Sequence, residues 1–135
     1  MAMLSSLPEV ERKRLLEGDW DVSENSAFPE FSTRLHVTSW QEFQDQYKLL
    51  RIPANWPKFR ACDYGYTNPA CVLWFTIAPD NTIYVYRELY SKGLDAQQLS
   101  FRVLELETND VNVGYGVLDS ESWARRGQVG PSIAE

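Results

Sequence analysis

Phe59-Arg60-Ala61-Cys62-Asp63-Tyr64-Gly65-Tyr66 is the stretch on which the fold turns. An extended run from Phe59 to Cys62 ends in an aspartate and meets a glycine turn, which reads as a strand delivering Asp63 to a sheet edge. A second stretch has the same form: Val113-Gly114-Tyr115-Gly116-Val117-Leu118-Asp119 stops at Ser120-Glu121-Ser122. Between the two lie Cys71 to Ile77, nearly all apolar or β-branched, and Thr82 to Leu89, separated by the hairpin chemistry of Pro79-Asp80-Asn81. On the second of these strands, alternation puts Ile83, Val85 and Arg87 on one face and Tyr84, Tyr86 and Glu88 on the other. Asp95 followed by Gln98 forms a capping box, and Leu99, Val103 and Leu106 give the helix it opens a buried stripe.

The order is therefore β-β-β-α-β. Short turns make the first three strands an antiparallel meander. The helix must return the fourth strand parallel to a neighbour by a right-handed crossover. If that neighbour is the first strand, the sheet order is 3-2-1-4 and the class is α/β. Asp63 and Asp119 then end adjacent strands, with backbones ~4.8 Å apart. Paired carboxylates so placed suit a hard divalent cation and phosphodiester chemistry.

Towards the N-terminus, Pro8 to Leu16 reads as a short amphipathic helix stopped by Gly18, and Asp19 to Phe31 as irregular chain. Phe31 to Val37 reads as a strand. Trp40, Phe43, Tyr47 and Leu50 have helical spacing. Pro53, Asn55 and Pro57 punctuate the link to the main body.

The composition is that of a globular chain: 135 residues, 44% hydrophobic and 13% aromatic. No apolar run reaches the length of a membrane span and none forms a secretory core. The net charge of −6 opposes a dedicated DNA-binding domain, whose contact face is ordinarily basic. Arg125-Arg126 is the adjacent basic pair near the second aspartate and the candidate for phosphate contact. The cysteines, Cys62 and Cys71, match no zinc spacing, and in neighbouring strands they read as small core residues. The single histidine, His36, reads as a structural or solvent-facing residue.

Several local wordings add to this. Gly18-Asp19-Trp20-Asp21-Val22, Phe28-Pro29-Glu30-Phe31, His36-Val37, Arg60-Ala61-Cys62-Asp63-Tyr64-Gly65-Tyr66, Tyr84-Val85-Tyr86-Arg87-Glu88 and Leu118-Asp119-Ser120 resemble, in that order, the large subunit of tailed-phage terminases. The resemblance runs from about Leu15 to Glu135. It implies a ribonuclease-H-like nuclease domain, incomplete at the C-terminus, over residues 57–135. Residues 1–56 would be the tail of the ATPase half and its connecting segment, with no P-loop sequence in this chain.

The implied activity is Mg²⁺- or Mn²⁺-dependent endonucleolytic cutting of concatemeric viral DNA in the cytoplasm of the bacterial host. Double-stranded DNA, the portal protein and the small terminase subunit are the implied partners. The family's first two metal carboxylates fall on Asp63 and Asp119. A two-metal centre is expected in the complete domain, with the third carboxylate beyond the last residue here. Tyr64 and Gly65 are expected to shape the mouth of the site, and Glu88 is a rim or secondary residue below the two aspartates.

Three plainer readings stand beside this one. Asp63 also fits a turn-forming aspartate, and Asp119 a helix N-cap. The chain also fits a non-catalytic docking module for packaging components. Asp63-Tyr64-Gly65-Tyr66-Thr67 is also similar to the phosphate loop of actin-like kinases, which need a second lobe and an adenosine site that 135 residues do not hold.

Overall fold

The computed structural model describes residues 28, 30–110, 112–123, 132 and 134. The chain divides into two compact units, Met1–Arg51 and Ile52–Glu135. The helix expected over Pro8 to Leu16 lies outside the described residues.

In the first unit, helix α1 spans Thr33–His36 and α2 spans Trp40–Tyr47. The strand expected over Phe31 to Val37 is therefore a short helical turn. His36 explains part of the change: its ring stacks on Phe31 and its Nδ1 lies 3.0 Å from the Ser32 amide, closing the turn on itself. Such local side-chain-to-backbone bonds compete with strand pairing. α2 forms where expected. Ser39 and Glu42 make a reciprocal capping box at its start, and Lys48, in the left-handed region at φ 55°, ends it. Phe43 is buried, stacks with Trp40 and meets Tyr47 at a tilt, whereas Leu50 is exposed.

The second unit carries β1 (Lys58–Asp63), β2 (Ala70–Ile77), β3 (Ile83–Ser91), α3 (Ala96–Glu107) and β4 (Val113–Leu118), followed by a 3-10 turn at Ser120–Trp123. The sheet order is β3-β2-β1-β4, antiparallel except for the parallel β1–β4 pair. This is the mixed α/β sheet expected from the strand pattern. The β2–β3 hairpin closes on Asn81 at φ 66°, with the Asp80 carboxylate accepting from the Thr82 amide.

α3 packs on one face of the sheet. Ala70, Val72 and Trp74 alternate along β2 onto that face and pack with Leu99, while Cys62, Tyr86, Leu89, Val103, Leu106 and Val113 complete the cluster. Trp74 is fully buried, with its indole N–H donating to Glu107 at 2.6 Å. The other face carries Phe59, Phe75 and Tyr115 in one stacked row, at centroid spacings of 4.9 and 5.3 Å.

A charged cluster ties the C-terminal end of α3 beneath the sheet. Asp110 accepts from Lys58 Nζ at 3.0 Å and from the Tyr86 hydroxyl at 2.7 Å, and pairs with Arg87 at 3.1 Å. Glu107 accepts from Arg60 at 2.9 and 3.0 Å. Side-chain exposure is 3% for Lys58 and 8% for Asp110, so this pair is buried rather than solvated. Among the described residues, no buried side-chain nitrogen or oxygen lacks a partner.

Two register shifts set which residues share a face. On β3, Trp74 pairs with Arg87 but Phe75 pairs with Val85, so Tyr86 is an extra residue. A bulge of this kind breaks the alternation. It puts both Tyr86 and Arg87 on the helix side, where they reach Asp110, and sends Glu88 to the opposite face. This corrects the simple alternation, which grouped Arg87 with Val85 and Tyr86 with Glu88. On β4, Lys58 pairs with Val113 and Phe59 with Tyr115, leaving Gly114 as the extra residue.

Candidate metal centre

Asp63 is the last residue of β1 and is exposed. Its neighbour Cys62 pairs with Leu118, so Asp119 follows β4 level with Asp63, about one strand spacing (~4.8 Å) away along the backbone. The Gly114 bulge produces that level. Counted from Lys58–Val113 without the extra residue, Leu118 would stand opposite Asp63 and Asp119 would lie one residue beyond. Asp63 follows the alternation onto the face opposite α3, whereas Asp119 lies just beyond the end of β4.

Asp119 is held locally. Its Oδ1 accepts from the Ser122 amide at 3.0 Å and its Oδ2 from the Ser122 hydroxyl at 2.6 Å. It thus caps the 3-10 turn, and the cap sets the orientation of its carboxylate. These bonds bear out the N-cap reading of Asp119.

The two thiols report on the same region. Cys62 Sγ is pushed up to about 11 by burial and by the charges of Asp119 and Asp63. Cys71 stands opposite Asp63 across β1 and β2, and burial, Glu88 and Asp63 push its thiol up as well. Both are free and stay protonated near neutral pH. Cys62 faces the helix and Cys71 the opposite side, because Cys62 pairs with Val72 rather than with Cys71. The expectation that both are core residues therefore holds for Cys62 alone, and no bridge can form through the sheet.

Glu88 shares the face of Asp63, but β3 lies two strands from β1, and Glu88 pairs with Leu73 rather than with Cys71. Tyr64 turns to the helix side, where it packs on the core and its hydroxyl lies 3.4 Å from the Leu94 carbonyl. Gly65 is required by its own loop. A Cβ there would run into the Asn68 carbonyl oxygen and stand 3.0 Å from that of Pro69. Gly65→Ala is therefore expected to destabilise the fold by about 1–3 kcal/mol, read as a shifted midpoint in chemical denaturation. Arg125 and Arg126 lie outside the described residues.

The donor set fits a hard ion. Carboxylate oxygens suit Mg²⁺ or Mn²⁺, and Mg²⁺ is commonly held by one or two carboxylates while keeping several waters. The protonated thiols offer no competing soft ligand. Among the described residues no group of three or more His, Cys, Asp or Glu converges. The two-ion centre expected from the resemblance therefore needs a carboxylate that the described residues do not bring together.

No protein-family model matches the chain, and no curated protein matches it. In three dimensions it is similar to the nuclease domain of the P22 large terminase. That similarity has 13% sequence identity and a TM-score of 0.45, over 60% of this chain. The chain spans 40% of the length of that domain, and at this level the likeness assigns no residue a role. No helix among the described residues is long and apolar enough to cross a membrane.

Proposed function

We propose that this chain is part of the metal-dependent endonuclease of a phage DNA-packaging terminase. Its substrate is concatemeric double-stranded viral DNA, and Asp63 and Asp119 are its ion-binding carboxylates. The observation that carries this reading is the level placement of the two aspartates at the ends of the parallel pair β1 and β4. The local wordings around both, matched in order along the chain, support the family.

A bound Mg²⁺ or Mn²⁺ would activate water and offset charge developing at phosphorus. The protein's own part is to hold two carboxylates at one sheet edge, one of them fixed by Ser122, and to keep both thiols neutral beside them. In this reading residues 1–56 are the tail of the ATPase half and its connection, and the portal protein and the small terminase subunit are the partners. The setting is the host cytoplasm.

The test is Mn²⁺-dependent nicking of supercoiled plasmid DNA by the chain, abolished by chelation. A second reading, a docking module that does not cut, is favoured by the absence of a third converging carboxylate among the described residues. Ion binding without nicking would select it. Absence of ion binding would reject both the site and the nuclease reading.

A further inference from the structure

The sheet face opposite α3 is apolar from one edge strand to the other. Ile83, Val85 and Tyr90 on β3 and Tyr115 and Val117 on β4 are large apolar side chains of this face, and each is 54–65% exposed. Between them runs the stacked row of Phe75, Phe59 and Tyr115, continued onto β3 by Val85 opposite Phe75. A contiguous apolar patch of this kind marks an interaction surface rather than a solvated face.

Charge narrows the choice of partner. Among the described residues this face carries two charged side chains, Asp63 and Glu88, both toward the end where β1 finishes. The neighbouring cations turn to the helix side, where Lys58 and Arg87 meet Asp110 and Arg60 meets Glu107. A polyanion such as DNA would therefore meet carboxylates and no counter-charge. A second copy of the face has no such conflict. Turned over about an axis along the aromatic row, two copies lay their strands antiparallel and carry their carboxylates to opposite ends. Turned about the strand direction, they would crowd four carboxylates at one end, a costly juxtaposition of like charge.

The area is sufficient. Strands of 6 to 9 residues, four abreast at ~4.8 Å spacing and ~3.3 Å rise, make a face of roughly 450 Å² in projection, and upright side chains add to it. Two such faces approach the ~1,200 Å² at which specific interfaces begin. We propose that this face is a two-fold interface that packs on the same face of a second copy, sheet on sheet with strands antiparallel. The pairing does not depend on Asp63 and Asp119 binding an ion.

The experiment is sedimentation equilibrium of the chain over a concentration series, with circular dichroism and a thermal melt for each variant. Wild type is expected to form a dimer at micromolar concentration. Val85→Glu and Val117→Glu, on opposite edge strands, are each expected to weaken dimerisation at least about tenfold while the chain stays folded. Leu104→Glu, at an exposed position of α3 on the other side of the sheet, is expected to dimerise as wild type does. A chain that stays monomeric to about 100 µM, whether or not it binds DNA, would overturn the proposal. So would a dimer that both folded sheet-face variants leave intact, or one that Leu104→Glu dissociates. Should one sheet-face variant fail to fold, the other decides.

Discussion

Asp63→Asn is expected to abolish divalent-ion binding at the β1 and β4 edge, and with it any Mn²⁺-dependent nicking. The substitution preserves size and exchanges an anionic oxygen donor for a neutral amide. With Asp63 and Asp119 as the two carboxylates of the proposed site, loss of one halves its anionic donor set. Metal-assisted charge stabilisation is worth several kcal/mol, so the rate should fall at least about a hundredfold. Because Asp63 is exposed at its strand end, the fold should be untouched, and the melting temperature should match wild type. Asp119→Asn should lose ion binding as well but also perturb the Ser122 contacts, so Asp63→Asn is the cleaner experiment. Undiminished Mn²⁺ affinity in Asp63→Asn would remove Asp63 from the site.

Asp110→Ala is expected to cost about 3–5 kcal/mol of folding stability, the range for breaking a buried ion pair from one side. It would leave Lys58 buried at 5% exposure beneath the sheet without its carboxylate partner, and would strip Tyr86 and Arg87 of an acceptor. A small domain commonly has about 5–15 kcal/mol in total, so the variant should be close to unfolding.

The pH dependence follows from the same cluster. Burial pushes the Asp110 carboxyl up, but hydrogen bonds from Tyr86 and Lys58 and the charges of Lys58 and Arg87 outweigh it, leaving the group below its ordinary value of 3.8. A depressed carboxyl stabilises the fold fully above its unfolded value and loses that contribution as the pH falls through the folded one. Denaturation midpoints should therefore fall below about pH 4, with a shallower fall in Asp110→Asn. Equal acid sensitivity in the two chains would place the linkage elsewhere.

Much of the second unit was legible in the residues. The order of elements, the Pro79-Asp80-Asn81 turn, the Asp95 and Gln98 capping box and the Leu99, Val103 and Leu106 stripe depend on local chemistry and period, and each forms as expected. The sheet order followed from connection rules applied to those elements. The short helix at Thr33–His36 was not legible, because its closure on the His36 ring competes with an extended-looking composition.

The candidate site divides in the same way. Sequence alone determined that two aspartates end two strands and that those strands can be neighbours, since strand ends and crossovers are written in turn residues and helix signals. Tertiary structure decided which side chains share a face. A single extra residue at Gly114 brings Asp119 level with Asp63, and another at Tyr86 turns Glu88 onto the face of Asp63 while delivering Arg87 to Asp110. Alternation has a period of two, so one inserted residue reverses every assignment beyond it. Where the insertion falls depends on pairing with strands distant in the chain, and no local pattern in β3 or β4 records it.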